Sequence, residues 1–154
     1  MADTDFYFED FAPGKVFVTP DWEATPERII DFASKYDAQY FHLDPVKARA
    51  SYFGGLVCSG FQTAALAWGL AVQTRMFEEC AVAGIGVDEM RWFLPVREGD
   101  RVRVEFGLIE GKPSRSKPDI ASVVFAYTVL NQRDETVMTM KLLQLLRRRP
   151  VPSG

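Results

Sequence analysis

One long apolar segment does most to limit how this chain can fold. The residues GFQTAALAWGLAVQTRMF, numbers 60–77, are apolar on nearly all sides of a helix until Gln73. A helix of this kind is buried on most of its sides rather than lying on a surface. We therefore expect a helix from near Ser59 to about Glu79, covered by another layer of the fold.

The covering layer is indicated by the residues after position 80. We expect one strand within residues 81–94 that either continues through or bends at residues 88–91. Three long segments with period-2 alternation follow: DRVRVEFGLIE, IASVVFAYTVLN and TVMTMKLLQLL. REGD and NQRDE are typical of hairpin turns, and GKPSRSKPD of a longer polar loop. Helices followed by antiparallel strands predict an α+β fold, with one sheet wrapped around the central helix.

Three shorter elements precede the central helix. Residues 14–19 predict a short strand after a Pro-Gly turn. TPERIIDFASKYD predicts a helix that Thr25 caps and in which Pro26 takes the first position. DPVKARASYF repeats that signal, with Asp44 as the cap.

Length and composition exclude several classes of protein. A chain of 154 residues can bury a sizeable core, and we expect a single domain over residues 1–154. The net charge of −3 argues against a general nucleic-acid binder. The acidic segment MADTDFYFEDFAPG lacks the features of a signal peptide, and no run reaches the length of a membrane span. The two cysteines, Cys58 and Cys80, form no disulfide framework, so we expect a cytoplasmic protein.

The only histidine, His42, has Asp37 five residues before it and Asp44 two residues after it. In a regular helix Asp37 and His42 would lie roughly 500° apart in rotation, so they converge only if the chain curls back between them. Spacing alone leaves two interpretations open: an ordinary polar loop, or a carboxylate–imidazole pair that transfers protons. Asp44 is explained better as a helix cap than as a catalytic group.

Two stretches resemble the MaoC-like, R-specific enoyl-CoA hydratase family: DAQYFHLDPVKARASYFGGLVCSG, with the helix after it, and VDEMRWFLPVREGDRVRV. The resemblance spans nearly the whole chain. The family signature reads Asp-x-Asn-Pro-x-His-x-Asp and then Phe-Gly-x-x-x-Ala-His-Gly, and the positions that match it here are Asp37, His42, Asp44, Phe53, Gly54 and Gly60. The resemblance implies a hot-dog fold, in which an antiparallel sheet wraps around a long central helix, and a homodimer or a dimer of dimers.

The chain departs from that signature at two places. Gln39 and Tyr40 stand where the family has Asn-Pro, and Tyr40 does not fix a backbone angle as proline would. Cys58 and Ser59 stand where the family has Ala-His, which replaces an imidazole with a hydroxyl. Both changes leave the Asp37–His42 pair intact and bear on substrate choice and rate.

The resemblance implies reversible hydration of a trans-2-enoyl-CoA to an (R)-3-hydroxyacyl-CoA. Coenzyme A is then part of the substrate, and no metal or redox cofactor is expected. The reaction needs a base that deprotonates water and an acid that delivers a proton to the α-carbon. A carboxylate and an imidazole that hold one water can do both, so the catalytic roles fall on Asp37 and His42.

The glycine-rich segment GGLVCSGF offers help for the thioester carbonyl. Backbone N–H groups at a helix N-terminus suit an oxygen that gains negative charge, and Gly60 lets a ligand approach the backbone closely. We expect Gly54, Gly55, Ser59 and Gly60 to contact substrate, although the glycines can equally form a tight turn and Ser59 can act as a helix cap. No phosphate-binding Gly-Lys-Ser/Thr motif, serine-hydrolase elbow or metal-ligand spacing is present.

Three basic side chains in the loop GKPSRSKPD are candidates for binding the phosphates of coenzyme A: Lys112, Arg115 and Lys117. The alternative is that the loop is merely solvated, as most exposed basic loops are.

Two other functions remain open. Hot-dog thioesterases commonly carry a carboxylate on or beside the central helix, where this chain offers only Gln62. A non-catalytic acyl-thioester-binding or partner subunit would keep the fold without turnover, and the intact Asp37–His42 pair argues against it.

Overall fold

The computed structural model describes residues 6–152. Residues 1–5 and 153–154, at the two ends of the predicted domain, lie outside the described residues. Residues 1–5 are also part of the acidic N-terminal segment analysed above. After a 3-10 turn at Phe8–Asp10 the order of elements is β1 (Phe17–Val18), β2 (Trp22–Glu23), α1 (Pro26–Tyr36), α2 (Tyr40–Leu43), α3 (Pro45–Ala48), α4 (Gly60–Gln73), β3 (Ala81–Trp92), β4 (Arg101–Pro113), β5 (Ile120–Leu130) and β6 (Thr136–Arg147). Among residues 6–152, no helix combines the length and apolarity that crossing a membrane requires. The α+β class predicted from the sequence is confirmed.

The strands form one antiparallel sheet in the order β1-β4-β5-β6-β3, with β2 also paired to β4. NQRDE connects the neighbouring strands β5 and β6 and is a hairpin, as predicted. The prediction of a hairpin at REGD is wrong, because β3 and β4 lie on opposite sides of the β5–β6 pair. REGD is still a tight turn: the N–H of Asp100 donates to the carbonyl of Arg97, and Gly99 supplies a φ of +87°.

The long strands build the core by the alternation seen in the sequence. On β4 and β5 every second side chain points into the core: Val102, Val104, Phe106, Leu108, Val123, Phe125, Tyr127 and Val129. The stacked rings of Phe106 and Tyr127 lie 5.7 Å apart, and α4 packs against these two strands. This burial of aromatic and branched side chains fixes the helix on the sheet.

The central helix α4 is shorter and less enclosed than predicted. It ends at Gln73 rather than near Glu79, because Arg75 adopts a left-handed φ of +68° that reverses the chain. Its buried face carries Thr63, Ala67, Leu70 and Ala71. Phe61 is 62% exposed, so within a single chain the helix is covered on one side and not on most sides.

The short helices begin where the sequence predicts. Thr25 Oγ1 accepts from the N–H of Arg28 at the start of α1. The Asp44 carboxylate accepts from the N–H groups of Val46 and Lys47 at the start of α3. Asp44 is therefore a helix cap, as expected, whereas the single-turn helix α2 was not predicted.

β3 bends at residues 88–91, where the sequence left a bend or a straight continuation open. Glu89 has a left-handed φ of +52°, and the pairing with β6 shifts register between Asp88 and Arg91. β3 lies at one end of the sheet order, and nearly all its side chains are exposed. The bend carries Trp92, the last residue of the strand, to the N-terminus of α4.

Candidate active site

The chain brings Asp37 and His42 together by breaking the helix between them. Asp37 ends α1 with non-helical dihedral angles (φ −156°, ψ 69°), and the N–H of Gln39 donates to its carbonyl oxygen. α2 then starts at Tyr40 and turns His42 back. His42 Nε2 lies 3.4 Å from Asp37 Oδ2. The two side chains therefore meet, which residues five apart could not do within one regular helix.

A backbone hydrogen bond fixes the tautomer of His42. Its Nδ1 lies 2.6 Å from the carbonyl oxygen of Val57, and a carbonyl can only accept, so Nδ1 carries the proton. The other ring nitrogen, Nε2, is directed towards Asp37. The imidazole is 5% exposed and its ring packs edge-on against Phe41. The orientation of this base is therefore set by the fold.

Two donors hold the carboxylate of Asp37. Ser59 Oγ donates to Oδ2 at 2.7 Å, and Gln39 Nε2 donates to Oδ1 at 2.7 Å. Burial raises the pKa of Asp37, but these two hydrogen bonds and the charge of His42 together outweigh it, so the pKa lies below its ordinary value. Asp37 is thus a carboxylate at neutral pH.

Ser59 has two roles, of which the sequence predicted one. Its Oγ accepts from the N–H of Phe61 and so caps α4, as expected. The same hydroxyl donates to Asp37, which ties the catalytic candidate to the start of the central helix. Gln39, one of the two departures from the family signature, supplies the other donor.

Gly60 opens α4 beside the predicted pair. Its N–H donates to no acceptor within residues 6–152, and its carbonyl accepts from the indole Nε1 of Trp92 at 2.9 Å. A free N–H at a helix N-terminus is a suitable donor to an oxygen that gains negative charge.

A cleft of about 770 Å³ is lined by Asp37, His42 and Gly60, whereas Ser59 is fully buried and does not line it, contrary to the expected substrate contact. That volume falls in the range of small-molecule sites. Its polar lining includes Asp37, Gln39, His42 and Arg97, and its aromatic lining is Phe41, Tyr52, Phe53, Phe61, Trp92 and Phe93. The cleft thus combines one polar corner with an extensive apolar wall.

Gly54 and Gly55 do not line this cleft. Gly54 has a φ of +70°, and its N–H donates to the carbonyl of Ser51 at 3.0 Å. The geometry favours the tight-turn interpretation over the expected substrate contact, because the turn uses these residues to return the chain towards Val57.

The basic side chains Lys112, Arg115 and Lys117 do not belong to the cleft of their own chain. Lys112 lies on β4, so the predicted loop begins only after Pro113, and Arg115 and Lys117 lie in the turn to β5. All three are at the end of the sheet where Ala121 pairs with Leu146, whereas Trp92 pairs with Met138. These two positions on β6 are roughly 26 Å apart at the usual rise of a strand. The predicted phosphate contacts therefore have no support within one chain.

Arg97 is the cation that lines the cleft instead, and sequence reasoning missed it. Its guanidinium donates to the carbonyl of Phe53 at 2.5 Å. The residue lies in the PVREGD stretch that carried part of the family resemblance, which is the one signal that could have identified it.

The cleft also contains the thiol of Cys58. Burial and the charge of Asp100 raise its pKa to about 12, so the thiol stays protonated and is a poor nucleophile. In the part of the chain that the structure describes, no group of three or more His, Cys, Asp or Glu side chains is arranged to hold a metal ion.

Comparison with known proteins identifies the family of this chain. The family model described as "MaoC like domain" matches residues 10–129. The uncharacterized protein YdeM of Bacillus subtilis is 28% identical over 91% of this chain and 98% of its own length. A 3-hydroxyacyl-thioester dehydratase Z of Mycobacterium tuberculosis is 34% identical over 64% of this chain and 67% of its own length.

Solved structures show the same fold. A MaoC-like dehydratase from Rhodospirillum rubrum superposes with a TM-score of 0.86 at 36% identity, covering 95% of this chain and 99% of its own. A Mycobacterium tuberculosis protein with a double hot-dog fold superposes on 100% of this chain and 48% of its own, with a TM-score of 0.79 at 15% identity, a likeness that shows the fold alone. The predicted hot-dog fold is thereby confirmed, and the chain belongs to the MaoC-like dehydratase and hydratase family.

Proposed function

We propose that this protein hydrates a trans-2-enoyl-CoA reversibly to an (R)-3-hydroxyacyl-CoA. The observation that carries the proposal is the pairing of an ionised Asp37 with the imidazole of His42, whose Nε2 lies 3.4 Å from Asp37 Oδ2 in a largely apolar cleft. A carboxylate and an imidazole this close together can hold one water molecule between them and remove one of its protons.

The chemistry balances with these groups alone. The water oxygen bonds to the β-carbon of the enoyl thioester while the pair takes one of the water protons. The α-carbon receives a proton from the pair, which returns to its starting protonation state. The thioester oxygen, which gains negative charge during the addition, accepts from the N–H of Gly60. Because Asp37 and His42 lie on one side of the substrate, water adds to one face and gives one product configuration.

The proposal includes assembly into a homodimer or a dimer of dimers. β3 is a twelve-residue strand at the end of the sheet order, and it exposes Val82, Ile85 and Val87. An edge strand with apolar side chains is a template for pairing with another chain. Trp92, at the end of β3, also lines the cleft, so such a partner would lie near the active site. The side chains of Lys112, Arg115 and Lys117 would reach coenzyme A only from a neighbouring subunit.

The thioesterase alternative has less support. α4 carries no carboxylate, and the amide of Gln62 is turned away to donate to the carbonyl of Arg28. A non-catalytic subunit would need neither the fixed tautomer of His42 nor the two donors to Asp37.

One panel of substrates separates these functions. Straight-chain trans-2-enoyl-CoAs of graded length are incubated with the protein, and the absorbance of the conjugated thioester and the release of free thiol are recorded together. We expect loss of the conjugated absorbance without free thiol. Release of thiol at the same rate would support hydrolysis, and no reaction with any member would support a binding subunit.

A further inference from the structure

The indole of Trp92 covers the first residue of the central helix. Its Nε1 donates to the carbonyl of Gly60 at 2.9 Å, and its ring packs edge-on against Phe61 with the centroids 5.6 Å apart. Trp92 is 47% exposed and Phe61 is 62% exposed, so neither side chain is needed to fill the core. Both line the cleft. Two large, half-exposed aromatic rings thus form one wall beside the helix N-terminus.

The fit between this wall and Gly60 is tight. A Cβ atom at position 60 would lie 2.6 Å from Trp92 Cε2, closer than side chains tolerate. Gly60 does not have a left-handed φ. Glycine is therefore needed at this position because a side chain would not fit, and not because of the backbone conformation. The edge of the indole is therefore in van der Waals contact with the backbone atoms of Gly60.

The position of the wall fixes which part of a substrate it meets. A thioester oxygen that accepts from the N–H of Gly60 lies about 2.9 Å from that nitrogen. The first carbons of the acyl group are then within reach of the indole, whereas a distant chain end is not. The other aromatic pair in the cleft, Phe41 and Phe53, packs together beside His42, so it borders the reacting carbons from the side of the base.

We propose that Trp92 is a specificity-determining residue that admits straight-chain acyl thioesters and excludes those branched at the second or third carbon. This inference rests on the proposed function, because it places the thioester at Gly60. Phe61 extends the same wall from α4. The donor on the indole keeps the ring over Gly60, and the ring itself excludes the branch.

The test compares acyl groups of similar size with and without a branch. Equilibrium dissociation constants are measured for butyryl-CoA, 2-methylbutyryl-CoA and 3-methylbutyryl-CoA, saturated compounds that bind without reacting. The proteins are the wild type, Trp92→Leu and Phe61→Leu, with Trp22→Leu as the matched control, since Trp22 does not line the cleft. Circular dichroism confirms that each variant is folded.

We expect the wild type to bind butyryl-CoA more tightly than either branched compound. Trp92→Leu should reduce that preference by about tenfold or more, the discrimination that one methylene contact can give. Phe61→Leu should reduce it less, and Trp22→Leu should leave it unchanged. Trp92→Phe, which keeps a ring but lacks the donor, should retain most of the preference.

A preference that stays the same in Trp92→Leu and Phe61→Leu, an equal loss of affinity for all three compounds, or no acyl-CoA binding would overturn the inference. Hydration is measured separately with the wild type and crotonyl-CoA. Selective binding without hydration would refute the proposed function and leave the role of Trp92 in acyl recognition standing.

Discussion

At the scale of single residues, the candidate site depends on the hydrogen bonds that orient His42 and Asp37. The carbonyl of Val57 holds the proton of His42 on Nδ1, and Ser59 and Gln39 both donate to Asp37. These contacts hold the imidazole and the carboxylate side by side in fixed orientations. The hydroxyl of Ser59 is therefore a positioning group for Asp37.

Removing that hydroxyl should change the pH dependence of turnover. Ser59→Ala takes away one of the donors that lower the pKa of Asp37, so the pKa rises. Because the carboxylate must be ionised, the acidic limb of the kcat/KM profile should move to higher pH. Ser59→Thr keeps the hydroxyl and should leave the limb in place. An acidic limb that is the same in Ser59→Ala and the wild type would contradict the role of this bond.

Sequence reasoning identified some of these residues and not the contacts between them. Asp37 and His42 followed from the spacing of a family signature, whereas the contact of Ser59 with Asp37 joins residues that are 22 apart, with α2 and α3 between them. Trp92 and Arg97 were missed because many aromatic and basic residues in the sequence are equally plausible. Only the bend in β3 and the turn after it bring these two to the cleft.

At the scale of elements, the start of α4 is the junction on which the site depends. Ser59 caps the helix, the indole of Trp92 donates a hydrogen bond to its first residue, and β4 and β5 pack against it. Period-2 alternation predicted the long strands well, because each strand has one face in the core. The end of α4 was placed too late, since nothing in the apolar pattern signals the left-handed Arg75. The order of the strands, and hence the nature of the REGD turn, depends on pairing that local patterns do not encode.

A glycine comparison on α4 tests how tightly this junction is packed. Gly60→Ala should destabilise the fold by about 1–3 kcal/mol, because its Cβ overlaps the indole of Trp92. Gly69→Ala lies on the same helix with open space around it and should stabilise the fold by up to about 1 kcal/mol. Free energies of unfolding from denaturant titration give both values.

Replacing the indole of Trp92 with a smaller side chain provides the control for this comparison. In a Trp92→Leu background the loss caused by Gly60→Ala should become smaller. Equal stability of the Gly60→Ala and Gly69→Ala variants would show that the indole does not restrict position 60.

At the scale of the whole molecule, one chain leaves an apolar edge uncovered. β3 exposes a row of aliphatic side chains, and the exposed face of α4 adds Val72. A sheet edge of this length needs a partner or a charged residue to prevent uncontrolled pairing. The predicted dimer would satisfy that need and would place the cleft close to a second subunit.

A charge on this edge should prevent assembly. Ile85→Lys, at a position that is 59% exposed, should convert the expected dimer into monomers, because pairing would bury an ammonium group. Val46→Lys, at a position that is 69% exposed on α3, is the matched control and should leave the dimer intact. Multi-angle light scattering at micromolar concentration measures both. A wild-type protein that is monomeric in this measurement would rule out the dimer.

The central claim is that Asp37 and His42 add water to an enoyl thioester. Its most direct test measures the initial rate of crotonyl-CoA hydration and the configuration of the product for the wild type, Asp37→Asn and His42→Gln. We expect the wild type to give (R)-3-hydroxybutyryl-CoA, and each variant to remain folded with turnover reduced by about 10²–10⁴-fold. Turnover at the wild-type rate in either folded variant, or an (S)-product from the wild type, would contradict the account.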